Sequence, residues 1–328
     1  MQFSWSTLPR PIVALAPMAG YTDSPYRQLV KLICPQAICF TEFTNVDGLL
    51  HGNAATRRQV EFHPDKERPI IAQLFGHEPE TFAKAAKIVT EMGVDAVDIN
   101  MGCPAKKIVS SDHGSALLKA PEIAAEIVAA CVAATHLPVS VKTRIGIGTY
   151  DPDFFIPFVQ RLEKAGAQLI TIHGRTAKQM YSGKADWQPI YDAKRALNIP
   201  VIGNGDITNA AEAQEKLQNL DGVMVGRGTF GNPWILQEIV AGFEGTTYTP
   251  PSDAEKYATI LEHMRLNCEF KGEEFGILEM RKHFAWYIRG FPNASAARQK
   301  LVRASSVDEA LTILESVFKT AESPSSED

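Results

Sequence analysis

Eight short runs of apolar and β-branched residues recur along the first three-quarters of the chain, at residues 12–18, 37–43, 69–75, 96–101, 138–143, 169–173, 200–204 and 222–226. They are continuously apolar rather than alternating, the pattern of strands covered on both faces. Between them lie segments with helical spacing, as at residues 79–92, 121–135, 153–165 and 208–220. Several of these open on Pro or Asp, or with Thr at the cap, as helix starts do. Eightfold alternation of strand and helix predicts a (β/α)8 TIM barrel, for which roughly 240 residues is an ordinary size. A doubly wound open sheet is the competing arrangement, but no G-x-G-x-x-G turn follows the first run.

Beyond Pro250-Pro251-Ser252-Asp253 the pattern turns wholly helical, with Tyr257, Ile260, Leu261, Met264 and Cys268 at helical spacing. Residues 1–245 are therefore read as the barrel, 252–321 as a small all-helical domain and 322–328 as a disordered tail. From residue 280 to 307 there is no Asp or Glu, while Arg281, Lys282, Arg289, Arg298, Lys300 and Arg303 fall there. On a helical wheel Arg281, Lys282 and Arg289 share one sector, and Ile277, Met280, Phe284 and Ile288 face another. This predicts a basic face suited to phosphate-backbone contacts, with a merely solvated helix face as the alternative.

The 328 residues are 45% hydrophobic and 22% charged, as in ordinary soluble globular proteins. No apolar segment approaches the length that spans a bilayer, and Met1-Gln2-Phe3-Ser4-Trp5 lacks the features of a signal peptide. With its free cysteines, the chain is expected in a reducing cytoplasm. A net charge of −5 argues against indiscriminate nucleic-acid binding, so any such contact must use a local basic surface.

The five cysteines form no C-x-x-C pair and no zinc-spaced cluster, so neither a disulfide framework nor a metal site is indicated. Cys34, Cys39, Cys131 and Cys268 read as small buried hydrophobes. Cys103 differs. It follows an apolar run within Asn100-Met101-Gly102-Cys103-Pro104, a glycine-assisted turn at a strand exit. Pro104 restrains the local backbone, and a thiol that donates a proton needs such placement.

Most of the other runs also end in polar or glycine residues: Gln73; Lys142 and Arg144; His173 and Arg175; Asn204, Gly205 and Asp206; Gly226 and Arg227. In a barrel these ends ring the mouth where the active site sits. The seventh and eighth have the character of a phosphate grip, glycines allowing close amide approach and Arg227 forking onto the anion. Lys142 and His173 are then cations aimed at the middle. The bland alternatives are a surface ion pair for Arg227 and a backbone-bonded core imidazole for His173.

Ala16-Pro17-Met18-Ala19-Gly20-Tyr21-Thr22-Asp23, Asn100-Met101-Gly102-Cys103-Pro104-Ala105-Lys106-Lys107 and Gly114-Ser115-Ala116-Leu117-Leu118 resemble the tRNA-dihydrouridine synthase family, the second of these most closely its B-type bacterial branch. So do Ile172-His173-Gly174-Arg175-Thr176, Ile202-Gly203-Asn204-Gly205-Asp206-Ile207 and Met224-Val225-Gly226-Arg227, and Met280-Arg281-Lys282-His283 extends the match. The resemblance implies an FMN-bearing barrel that reduces the C5=C6 bond of a particular uridine in tRNA, with NADPH supplying electrons. Position by position, it implies Pro17, Met18 and Ala19 behind the flavin and Gln73, Lys142 and His173 around its ring. Asn204, Gly205, Asp206, Gly226 and Arg227 would hold its phosphate, and Cys103 would be the general acid. Asn100 and Arg175 would anchor the uracil edge, and Arg281, Lys282 and Arg289 the tRNA. A monomer without metal or membrane partner is expected. Gly203 stands where many relatives have alanine, a departure expected to matter little. A flavin barrel acting on a free pyrimidine, as dihydroorotate dehydrogenases do, shares fold and chemistry but leaves the basic helices unexplained. A non-catalytic RNA-binding protein would not need the cysteine and flavin positions.

Overall fold

In a computed structural model that describes residues 3–322, the eight apolar runs close into a parallel barrel. Nine strands carry it among the described residues: β1 (Ile12–Leu15), β2 (Cys39–Phe40), β3 (Thr44–Asn45), β4 (Ile70–Phe75), β5 (Ala96–Met101), β6 (Val139–Arg144), β7 (Ile170–His173), β8 (Val201–Asn204) and β9 (Gly222–Val225). β4 to β9 pair in sequence order, and β9 pairs with β1. Closure comes from the Leu15 amide donating to the Ile38 carbonyl and the Ile38 amide to Val13, both at 2.9 Å. The second run is split into β2 and β3, both paired with β4. At the break the Thr41 hydroxyl accepts the Gln73 amide at 3.0 Å, so a side chain replaces a ladder carbonyl.

The helices over residues 79–92, 121–135 and 153–165 form as Pro79–Glu91, Pro121–Ala134 and Pro152–Lys164. The next is shorter than its pattern suggested, Ala210–Leu217. Asn209 takes the cap, and Gln218, at φ +37°, ends the helix before residue 220.

Side chains alternate across each strand, so β5 sends Ala96, Asp98 and Asn100 to one face. Ala96 joins Trp5, Ile12, Ala14, Phe40, Ile71, Leu169, Ile202 and Met224 in an apolar cluster inside the barrel. Asp98 and Asn100 come next along the strand, which turns the upper interior polar. Outward residues such as Val97 and Ile99 pack under the helices instead.

The C-terminal region is helical throughout its described part: Asp253–Lys271, Glu273–Tyr287, Ala294–Leu301 and Val307–Glu322. A capping box at Ser252, reciprocated by Glu255, starts it. Its first helix packs on the Ser24–Ile33 helix of the barrel. In that seam Tyr26 donates to the Thr229 carbonyl at 2.7 Å and stacks on His283, and His263 Nδ1 lies 3.0 Å from the Tyr287 hydroxyl. Burial pushes the His263 imidazole down to about 3 and His283 well below its ordinary value. No helix among the described residues is long and apolar enough to cross a membrane. The tail read as disordered lies, from residue 323 on, outside the described residues.

Candidate active site at the barrel mouth

A cavity of about 520 Å³ opens at the C-terminal ends of the strands. Ala16, Met18 and Met224 give it apolar lining; Asn100, Cys103, Lys142, His173 and Arg227 give it polar lining. The Cys103 turn is held from both sides. Asn100 Oδ1 accepts the amides of Gly102 at 3.1 Å and Cys103 at 2.9 Å. Asn100 Nδ2 donates to Gln73 Oε1 at 2.9 Å, and Gln73 Nε2 to Asp98 Oδ2 at 2.7 Å. Ser140 Oγ donates to Asp98 Oδ1 at 2.6 Å. Strand register produces this chain, pairing Gln73 with Asp98 and Asp98 with Ser140. From the other side Arg144 Nε donates to the Gly102 carbonyl at 2.8 Å, while its Nη1 reaches the carbonyls of Thr176 and Met180.

Charge follows from burial. Burial raises the Cys103 thiol, only partly offset by the Ala105 amide and by Arg144 and Lys142. The sulfur therefore keeps its proton at neutral pH, as a proton donor must. Burial also raises Asp98 to about 6 and lowers Lys142 to about 8, whose Nζ donates to Asn204 Oδ1 at 3.2 Å. His173, buried among Lys142, Arg144, Arg175 and Arg227, is pushed down to about 2. Its imidazole is neutral, not the cation expected from its strand-end position.

Arg227 is half-exposed, with its guanidinium 4.7 Å from the Tyr181 ring centroid and 3.6 Å from Asp206. Burial would raise the Asp206 carboxyl, but the Ala185 amide, Arg175 and Arg227 hold it below its ordinary value. With this geometry in view, the sequence comparisons decide the family. Residues 14–322 match the family described as dihydrouridine synthase (Dus). The chain belongs to the dihydrouridine synthase family. A probable tRNA-dihydrouridine synthase 1 from Synechocystis sp. is 41% identical over 312 residues, covering 94% of this chain and 87% of that protein. A probable tRNA-dihydrouridine synthase from Rhodobacter capsulatus is 38% identical, covering 95% and 96%. The tRNA-dihydrouridine synthase B of Xanthomonas axonopodis pv. citri is 37% identical, covering 94% and 93%.

In this dihydrouridine synthase family member, Pro17, Met18, Asn100, Cys103, Lys142, His173, Asn204, Gly205, Asp206, Gly226 and Arg227 all line the one cavity. Ala19 is exposed and lies outside that lining. Gln73 is fully buried beneath it, its amide engaged by Asp98 and Asn100. Arg175 does not present its guanidinium as a uracil anchor. It is buried, with Nη2 on both Asp206 oxygens at 2.8 and 2.7 Å and on the Gly183 carbonyl, and Nε on Ser182. Asp206 in turn offers a phosphate no side-chain donor, since a carboxylate only accepts.

The shared basic sector does not form either. Arg281 folds onto the carbonyls of Arg303 and Ala304, and Lys282 pairs with Glu279. Arg289 lies beyond the helix, which ends at Tyr287. Gly203 is more constrained than expected: a Cβ there would sit 2.2 Å from Trp187 Cζ3. Sequence reasoning missed the role of Arg144, which it placed at a strand end, and gave no sign of Phe43, Tyr181, Phe230 and Trp286 as cavity lining.

Proposed function

We propose that this chain reduces the C5=C6 bond of a uridine in tRNA, with FMN in the mouth cavity and Cys103 as proton donor. The chemistry rests on one observation above the rest: a protonated thiol carried on a turn whose backbone Asn100 and Arg144 fix, at the wall of a cavity that also carries Lys142 and Arg227. The residues suit FMN. Ala16, Met18 and Met224 offer apolar surface to a flat ring, Lys142 a cation beside it, and Arg227 with Gly226 and Gly228 a phosphate grip. Reduced flavin bound there would supply the hydride for C6. Cys103 gives its Sγ proton to C5, so each carbon gains one hydrogen and the double bond is lost. Asn100 has a second Nδ2 proton beyond the one given to Gln73, enough for one uracil carbonyl. The family resemblance brings NADPH as the electron source, and no residue here is assigned to it.

Residues 252–321 act in this reading as the tRNA-binding domain, and Trp286 from that region lining the cavity favours a macromolecular substrate over a free pyrimidine. Cys103→Ala should still bind FMN and be reduced by NADPH, while reoxidation by tRNA slows roughly 10²-fold or more. Near-normal single-turnover reoxidation would remove Cys103 from the acid role. Free uridine that reoxidised the reduced enzyme as fast as tRNA would favour the free-pyrimidine reading. Arg227→Ala should weaken flavin retention by roughly 10-fold or more, as expected when a charged hydrogen-bond partner is lost.

A further inference from the structure

Trp286 serves two cavities at once. Besides the mouth, it lines a second cleft of about 380 Å³ together with Trp234, Tyr248, Phe291, Lys256 and Arg289. That volume lies within the range of about 300–1,000 Å³ that small-ligand pockets occupy. Trp286 is 38% exposed, yet its backbone is pinned. Gly231, at φ +68°, approaches so closely that a Cβ there would sit 2.5 Å from the Trp286 carbonyl. The ring also ends an aromatic row: Phe230 lies 5.5 Å from it and stacks on Tyr21 at 4.2 Å.

Cationic groups stand on this cleft. The Arg289 guanidinium is 5.9 Å from the Trp286 ring centroid and has no side-chain hydrogen bond or ion pair among the described residues. Lys256 lies 5.5 Å from the Phe291 ring, with its charge shared with Asp253 at 2.8 Å. Glu238 is the carboxylate in the lining, and it accepts the Ala210 amide at 3.1 Å.

We propose that the second cleft holds the nucleotide next to the target uridine, its base against Trp286 and its phosphate at Arg289. The proposal rests on the tRNA reading above. A uridine that enters the barrel must leave its stack, and its neighbour then loses a stacking partner. A fixed, half-exposed indole at the cavity edge replaces that partner, and aromatic faces beside cations are how single strands are held without regard to base. Adjacent nucleotides stay joined through one phosphodiester when one of them is flipped out, so two cavities that share one ring are within reach of adjacent nucleotides.

The test uses an unmodified tRNA transcript, with the reduced uridine first mapped using the wild-type protein. Transcripts lacking the single base on the 5′ or the 3′ side of that uridine are then compared in direct binding. Wild type should bind one of them roughly 10- to 100-fold more weakly, the range for one lost stacked base. Trp286→Leu should lose a similar factor on the intact transcript and lose little more on the abasic one, because both changes remove the same contact. Losses that multiply, or two abasic transcripts that bind wild type as the intact one does, would overturn the cleft. The abasic comparison needs only wild-type protein, so it stands even if Trp286→Leu fails to fold. Wild type that neither binds nor reduces tRNA would remove the tRNA reading itself, and this inference with it.

Discussion

The cations of the barrel mouth and those of the C-terminal helices look alike in sequence and behave differently in space. At the mouth, Arg144 and Arg175 are buried and bonded to carbonyls or to Asp206, and Lys142 donates to Asn204. In the helices the commitment falls away along the chain. Arg281 is a strut onto residues 303 and 304, Lys282 is paired within its helix, and Arg289 stands over Trp286 without a carboxylate. A positive charge is available to a polyanion only where the protein has not already satisfied it. Counting Lys and Arg in a window therefore overstates a binding face.

The largest expected effect tests a feature both regions share, the burial of neutral imidazoles. His173 at the mouth and His263 and His283 in the seam all have depressed values, with burial as the first cause in each. Asp23, Lys271 and Lys282 face the seam pair, and Lys142, Arg144, Arg175 and Arg227 face His173. Above about pH 6.5 both folded and unfolded forms are neutral; below it only the unfolded chain takes up the protons, so stability falls with pH. Between pH 7 and pH 5 the loss should be about 2 kcal/mol per imidazole, read by urea unfolding. Asp98, raised to about 6, works in the opposite sense over the same interval. Equal stability at the two pH values would mean that these rings are not neutral, and His283→Phe should flatten the dependence by one proton.

Next in size is Arg175→Met, which leaves Asp206 with the Ala185 amide and the longer, half-exposed contact to Arg227 at 3.6 Å. It should cost about 2–4 kcal/mol, somewhat below the full penalty for a buried pair because Asp206 is partly exposed. Arg281→Met should cost about 1 kcal/mol, the scale of its hydrogen bonds, and leave tRNA affinity near wild type. Arg289→Ala should be the mirror image. Its unfolding midpoint should not move, while the slope of log affinity against log salt drops by about 0.7–0.9, one phosphate contact. If Arg281 proves to set tRNA affinity and Arg289 stability, the contrast between committed and available cations is wrong.

Much of the site was legible because it is local. The Cys103 turn is built within four residues, with Asn100 capping its own neighbours, so its motif carries its geometry. The role of Arg175 was not legible, since Asp206 lies 31 positions away on the next strand's loop. The helical wheel failed at Arg289 because a wheel assumes a continuing helix, and this one ends at Tyr287 before Gly290 turns at φ +94°. The tight space at Gly203 was equally hidden, because Trp187 fills it from a separate segment.

Sequence by itself determined what depends on neighbours along the chain. Continuous apolar runs specify buried parallel strands, their spacing specifies the crossover helices, and Gly-Cys-Pro specifies a turn with a thiol at its tip. Tertiary structure decided which polar groups stay available. It buried Gln73 against a neighbouring strand and Arg175 against the next strand's loop, stripped His173 of its charge, tied Arg281 to the end of a neighbouring helix and left Trp286 between two cavities. The physical reason is that hydrogen-bond satisfaction and desolvation depend on distance in space, and a barrel brings together residues that are far apart along the chain.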